Sequence, residues 1–98
     1  MKKDLQEILS MLRELLPYLA QKYHVNSIEV FGSYVRNEQG IDSDLDMLVS
    51  FSKIPGLLKY IELKNYLSDQ LQINVDLVMK DSLKPGIGQH ILRESISV

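Results

Sequence analysis

The stretch Gly32-Ser33-Tyr34-Val35-Arg36-Asn37-Glu38-Gln39-Gly40-Ile41-Asp42-Ser43-Asp44-Leu45-Asp46 decides how this chain folds and where its chemistry lies. Just before it, residues 26–31 alternate, with Ile28 and Val30 on one face, which predicts a strand running into a glycine-permitted turn at Gly32-Ser33. At its far end a second strand is expected over residues 44–51. Successive strand side chains point to opposite faces, so Asp44 and Asp46 project together while Leu45, Met47, Val49 and Phe51 face a core. Two carboxylates on one face, roughly 7 Å apart at the backbone by strand rise, repel each other unless a cation lies between them. Magnesium, a hard cation taking oxygen ligands, suits that place.

Residues 73–79 repeat the pattern, with Ile73, Val75, Leu77 and Met79 alternating with Asn74, Asp76 and Val78. If this third strand neighbours the second over the same core, Asp76 shares a face with Asp44 and Asp46. Three carboxylates gathered in this way can hold two divalent ions about 3.5–4 Å apart, an arrangement that stabilises the attacking and leaving oxygens of a phosphoryl-type displacement. Gly32 lets the backbone approach a phosphate closely, and Ser33 adds a hydroxyl donor. A helix starting there would aim N–H groups at the same charge, and Arg36, one turn on, would add its planar fork. Asp42 is read as a loop or capping residue. Tyr34 is placed either against a nucleotide base or in packing.

Outward from this centre, Asp4 followed by Glu7 resembles a capping box, and Leu5, Ile8, Leu9, Leu12, Leu15, Leu16 and Leu19 recur at helical spacing. The helix is expected to kink or restart at Pro17 and to end near Tyr23. Pro55 and Gly56 open a second helical pattern carried by Leu57, Leu58, Tyr60, Ile61, Leu67 and Leu71, with the proline in its first turn. After Ser82 come Pro85, Gly86 and Gly88, then Ile87, Ile91, Leu92 and Ile96 at spacings that predict a short closing helix. Helices mixed with short strands point to an α/β or α+β sheet domain.

With 98 residues, 45% apolar and 24% charged, the chain is read as a single domain over residues 1–98 that leaves apolar faces for a partner or another copy to cover. It has no cysteine, so any metal is held by oxygen or nitrogen, and a reducing cytoplasm suits it. The start, Met1-Lys2-Lys3-Asp4, leads into an amphipathic pattern and indicates neither a signal peptide nor a membrane span. A net charge of −2 without dense basic clusters disfavours a nucleic-acid partner. His24 and His90 lack ligand spacing and are read as surface or packing residues. Tyr18, Tyr23, Tyr60 and Tyr66 are assigned to a core or partner face, and Lys80, Lys84 and Arg93 to a solvated rim.

A glycine-serine turn, ten intervening residues and then Asp44-Leu45-Asp46, with Asp76 further on, resembles the signature of the DNA polymerase β-type nucleotidyltransferases. Within that superfamily the short chain, Arg36 and the Ser43-Asp44-Leu45-Asp46 run look most like the minimal nucleotidyltransferase (MNT) proteins. The resemblance implies a polymerase β-like fold, a small mixed sheet flanked by helices. It further implies Asp44 and Asp46 as metal ligands, Asp76 as ligand or base, and Gly32 and Ser33 on the triphosphate of ATP. Such proteins pair with HEPN-domain ribonuclease toxins and, as antitoxins, adenylylate a toxin tyrosine. The family often has alanine and glycine around its arginine where this chain has Val35 and Asn37, and asparagine tolerates the left-handed backbone such a turn needs. An antitoxin acting by binding alone, or a small-molecule nucleotidyltransferase, remain the alternatives. The second is disfavoured because 98 residues leave no space for the acceptor-holding domain of larger relatives.

Overall fold

The computed structural model describes residues 4–84 and 86–98; residues 1–3 and Pro85, which entered the readings of the start and of the tail, lie outside them. Helix α1 spans Leu5–Tyr23, and the Asp4 carboxylate caps it by accepting the Glu7 N–H at 2.8 Å. It ends on His24, whose left-handed backbone (φ 60°) returns its N–H to the Leu19 carbonyl. The helix does not restart at Pro17. That residue lies on the exposed side, where water can meet the carbonyl one turn back that proline leaves without a donor.

Strand β1 covers Val25–Phe31, β2 covers Leu45–Phe51 and β3 covers Val75–Met79, with helix α2 at Leu57–Leu71 between the last two. Helix α3 (Ile87–Glu94) and a two-residue strand β4 (Ile96–Ser97) close the chain. The sheet order is β3-β2-β1-β4, with β1 antiparallel to β2 and β4, and β2 parallel to β3. A small mixed sheet with helices therefore forms, as expected, but Ile96 belongs to an edge strand and not to the closing helix. It sits opposite Val30, and that pairing outweighs its helical spacing.

One face of the sheet presents Ile28, Val30, Leu45, Met47, Val49, Val75 and Leu77 to α1 and α2. Ile8, Leu9, Leu12, Leu19 and Tyr23 answer from α1, and Leu63, Leu67 and Leu71 from α2. Each such aliphatic side chain contributes about 1.5–3 kcal/mol on burial. Leu67 and Leu71 face the core as expected, but Leu57, Leu58 and Ile61 of the same pattern are exposed, and Leu63 completes the contact. Pro55 also precedes the cap residue Gly56 and so lies outside the first turn. Among the described residues no helix is long and apolar enough to cross a membrane.

This topology has one consequence for chemistry. Because β1 and β2 are antiparallel, the end of β1 lies beside the start of β2, with Phe31 opposite Asp46. Because β3 is parallel to β2, its start comes to the same edge, and Asp76 falls opposite Asp46.

Candidate active site

At this edge Gly32 takes a left-handed backbone (φ +82°), and a Cβ built on it would run into the Asp46 carboxylate. Only glycine lets the turn and the acid share the space. Residues Gly32–Tyr34 form a single 3₁₀ turn, closed by the Val35 and Arg36 N–H groups on the Gly32 carbonyl at 3.1 and 3.3 Å. The longer helix expected here is absent, and Arg36 lies two residues past the end of this short turn. Asn37 then adopts φ 57°, the left-handed geometry anticipated for it. Farther along the loop, the Ser43 hydroxyl accepts the Gly40 N–H at 2.7 Å and turns the chain into β2.

Asp46 and Asp76 project from neighbouring strands on the face away from the core, Asp46 half-buried and Asp76 exposed. Burial pushes the Asp46 carboxyl up to about 6, the charges of Asp76 and Asp44 add to the rise, and Arg36 partly opposes it. Asp44 stands exposed one residue ahead of β2, where its Oδ1 accepts from Asn74 Nδ2 at 2.9 Å. The structure thus brings Asp46 and Asp76 face to face with Asp44 within electrostatic reach. Among the described residues no three acidic or histidine side chains stand ready-made as a ligand set. The donors nonetheless suit a hard divalent cation: they are all carboxylate oxygens, and their mutual repulsion calls for positive charge between them.

Ser33 is half-buried on the turn, and Arg36 is exposed at its rim. The Gly32 N–H and Arg36 Nη1 both donate to Glu94 Oε1, at 2.8 and 2.7 Å, while Arg36 Nε reaches Glu38 at 3.4 Å. Neither Glu94 nor Asn74 was singled out from the sequence. A lone acid at a helix end or a lone amide before a strand has no local signature, and both act across long separations. Tyr34 is buried within the core cluster, so it packs and leaves no ring for a base. Burial and then the Asp44 charge hold its phenol above the ordinary range.

Several weaker assignments also resolve. Asp42 is exposed in the loop, and His24 and His90 are exposed, with His24 serving as the cap of α1. Tyr18, Tyr23 and Tyr66 form a ring cluster, with centroids 5.3–6.4 Å apart. Tyr60 donates to the Leu77 carbonyl at 2.5 Å. Lys80 is partly exposed but also pairs, its Nζ binding Glu29 Oε1 at 2.6 Å, while Lys84 and Arg93 are exposed as expected.

Comparison with known proteins bears on this geometry. A family model described as a nucleotidyltransferase domain matches residues 12–98. The protein adenylyltransferase MntA of Thermococcus cleftensis is 52% identical over 94 residues, covering 96% of this chain and 95% of that protein. A solved structure provisionally described as a minimal nucleotidyltransferase superposes with a TM-score of 0.80 at 38% identity, covering 98% of this chain and 97% of its own. A toxin–antitoxin crystal structure with AMP-PNP gives a TM-score of 0.68 at 26% identity, covering 94% of this chain and 69% of the matched one.

Proposed function

The chain belongs to the nucleotidyltransferase domain family, and on that footing we propose that it carries AMP from ATP to a hydroxyl of a partner protein, as the cytoplasmic antitoxin that silences a HEPN ribonuclease toxin. One observation carries the reading. Asp46 and Asp76 are register partners on parallel strands, at the sheet edge where the bare Cα of Gly32 packs against Asp46. The adenylyltransferase name of the archaeal relative and the nucleotide-bound toxin–antitoxin structure supply the direction of the chemistry.

In the proposed reaction an acceptor hydroxyl oxygen bonds to the α-phosphorus of ATP while the bond to the bridging oxygen of the β-phosphate breaks and pyrophosphate leaves. Asp76, exposed at the edge, takes the hydroxyl proton. Asp44, Asp46 and Asp76 would hold magnesium, two ions in the full arrangement, and the bound ions would supply charge stabilisation and acidify the acceptor hydroxyl. Gly32 and Ser33 receive the triphosphate on a turn where the half-buried Ser33 supplies a hydroxyl, and Arg36 at the rim offers charge-assisted hydrogen bonds. Alignment of the two reacting oxygens by these contacts removes much of the entropic part of the barrier.

The test is direct. The chain is incubated with its genomic-neighbour HEPN protein, labelled ATP and magnesium, and the partner is weighed by mass spectrometry. Added AMP on the partner is the expected result. A stable complex with no added mass would instead show an antitoxin that acts by binding alone, and label passing to small alcohols but not to the protein would point to a small-molecule transferase.

A further inference from the structure

Glu94 is the last residue of α3, and nothing in the transfer scheme above uses it. One of its two oxygens, Oε1, accepts both from the Gly32 N–H at 2.8 Å and from Arg36 Nη1 at 2.7 Å, 62 and 58 residues away in sequence. The Glu94 side chain is only 18% exposed, its bond to Gly32 is partly buried, and the Arg36 side chain it meets is 46% exposed. The sheet order places β2, with Asp46, on one flank of β1 and β4, which follows Glu94, on the other. Gly32 is accordingly flanked by both acids, Asp46 on the side where a Cβ would stand and Glu94 on the side of its N–H.

We propose that Glu94 is a positioning residue for nucleotide binding, bracing the Gly32 turn and the Arg36 guanidinium from behind so that both are already in place when the triphosphate arrives. This rests on the assignment of Gly32, Ser33 and Arg36 to the phosphates. A guanidinium carries five N–H donors in a rigid plane, and the bonds to Glu94 and Glu38 engage two, leaving the others for phosphate oxygens. An arginine already held at one edge loses less rotamer freedom on binding than one swinging in water. The brace is in turn seated by the tertiary fold, since Ser95 hydrogen-bonds Glu29 at 2.8 Å and Ile96 pairs with Val30. The competing picture, in which Glu94 plugs the phosphate site, makes the opposite prediction for its removal.

The experiment measures the affinity of the full chain for AMP-PNP with magnesium by calorimetry, beside its melting temperature, for wild type, Glu94→Gln, Glu94→Asp and Glu94→Ala. Binding by Glu94→Ala is expected to weaken about tenfold, the range of one charge-assisted hydrogen bond. Glu94→Gln, which keeps an acceptor in place, should retain most of the affinity. Adding Arg36→Ala to Glu94→Ala should cost less than Arg36→Ala alone, because the two act as a unit. Unchanged or tighter binding by a folded Glu94→Ala overturns the proposal. Should that variant fail to fold, Glu94→Asp decides, since its shortened acid withdraws the acceptor, and wild-type affinity there overturns it equally. A wild-type chain that binds no AMP-PNP removes the phosphate assignment itself and this proposal with it, an outcome distinct from one in which only Glu94 proves idle.

Discussion

Glu29 and Asp46 lie on the same face of the sheet, on adjacent strands, and their surroundings treat them in opposite ways. Glu29 gives Oε1 to Lys80 at 2.6 Å and Oε2 to the Ser95 hydroxyl at 2.8 Å, and Lys80 holds its carboxyl below the usual range although burial pulls the other way. Asp46 is half-buried beside two further acids, and its partial burial and then their charges, only partly offset by Arg36, push its carboxyl up to about 6. A fold that can place a lysine on one acid and leaves its neighbour among like charges is not arranged for stability at the second position. Uncompensated charge of this kind marks sites that an outside group completes.

The sharpest way to break this contrast is to neutralise each acid in turn. Asp46→Asn is expected to lower transfer to the partner by about a thousandfold or more, the scale of losing a charge-stabilising group, while leaving the melting temperature equal or higher. Asp44→Asn should likewise abolish transfer. Full activity in either folded variant, read by labelled-ATP incorporation, removes the metal-site claim.

Next in size is the packing of the turn on Asp46. Gly32→Ala puts a methyl into the carboxylate and strains a positive φ, so a loss of about 2 kcal/mol or more in urea unfolding is expected, together with loss of transfer. At Gly40 a Cβ would meet only Ser43 Oγ at an ordinary 3.7 Å, so Gly40→Ala should stay within about 0.5 kcal/mol of wild type.

Glu29→Gln supplies the mirror image of the Asp46 result. With the Glu29 side chain 14% exposed, loss of its charge from the Lys80 pair should cost about 1–2 kcal/mol in urea unfolding and leave most of the transfer activity. Equal damage to both properties would dissolve the distinction between the two acids.

The smallest effect is a pH trend in chelator-treated protein. The folded Asp46 carboxyl, raised from 3.8 to about 6, binds its proton more tightly than the unfolded chain does. Its stabilising share is therefore present below the unfolded value and fades as the pH rises through about 6. Glu29, shifted down, contributes in the opposite sense, with stability present above the ordinary carboxylate range and lost as the pH falls. Melting temperatures between pH about 4 and about 7 should show wild type losing ground to Asp46→Asn as the pH rises. Parallel curves for the two proteins would contradict the raised carboxyl.

How much of this was legible beforehand depended on how local the signal was. The alternation around Ile28 and Val30, around Leu45, Met47 and Val49, and around Val75 and Leu77 marked three strands and the face each would bury. The placement of Asp46 beside Asp76 followed once those strands were taken as neighbours. The apolar face of α2 was read only in part: Leu67 and Leu71 are core residues and Tyr60 packs against them, but Leu57, Leu58 and Ile61 share their helical spacing and are exposed, while Leu63 takes the place the pattern left out. Strand β4 was invisible, since two residues carry no period, and the role of Lys80 hung on a partner 51 residues distant.

The sequence by itself determined that three short strands and two long helices would form, that acids at positions 44, 46 and 76 would point off the apolar face of their strands, and that a glycine-serine turn would end the first strand. Periodicity and turn chemistry are encoded within a few neighbouring residues, and these features needed nothing more. Only the tertiary structure decided that Asp76 lies directly opposite Asp46, that Lys80 and Ser95 satisfy Glu29, and that Glu94 reaches the Gly32 turn. Such pairings depend on strand order and register, which arise when distant segments pack on a common core.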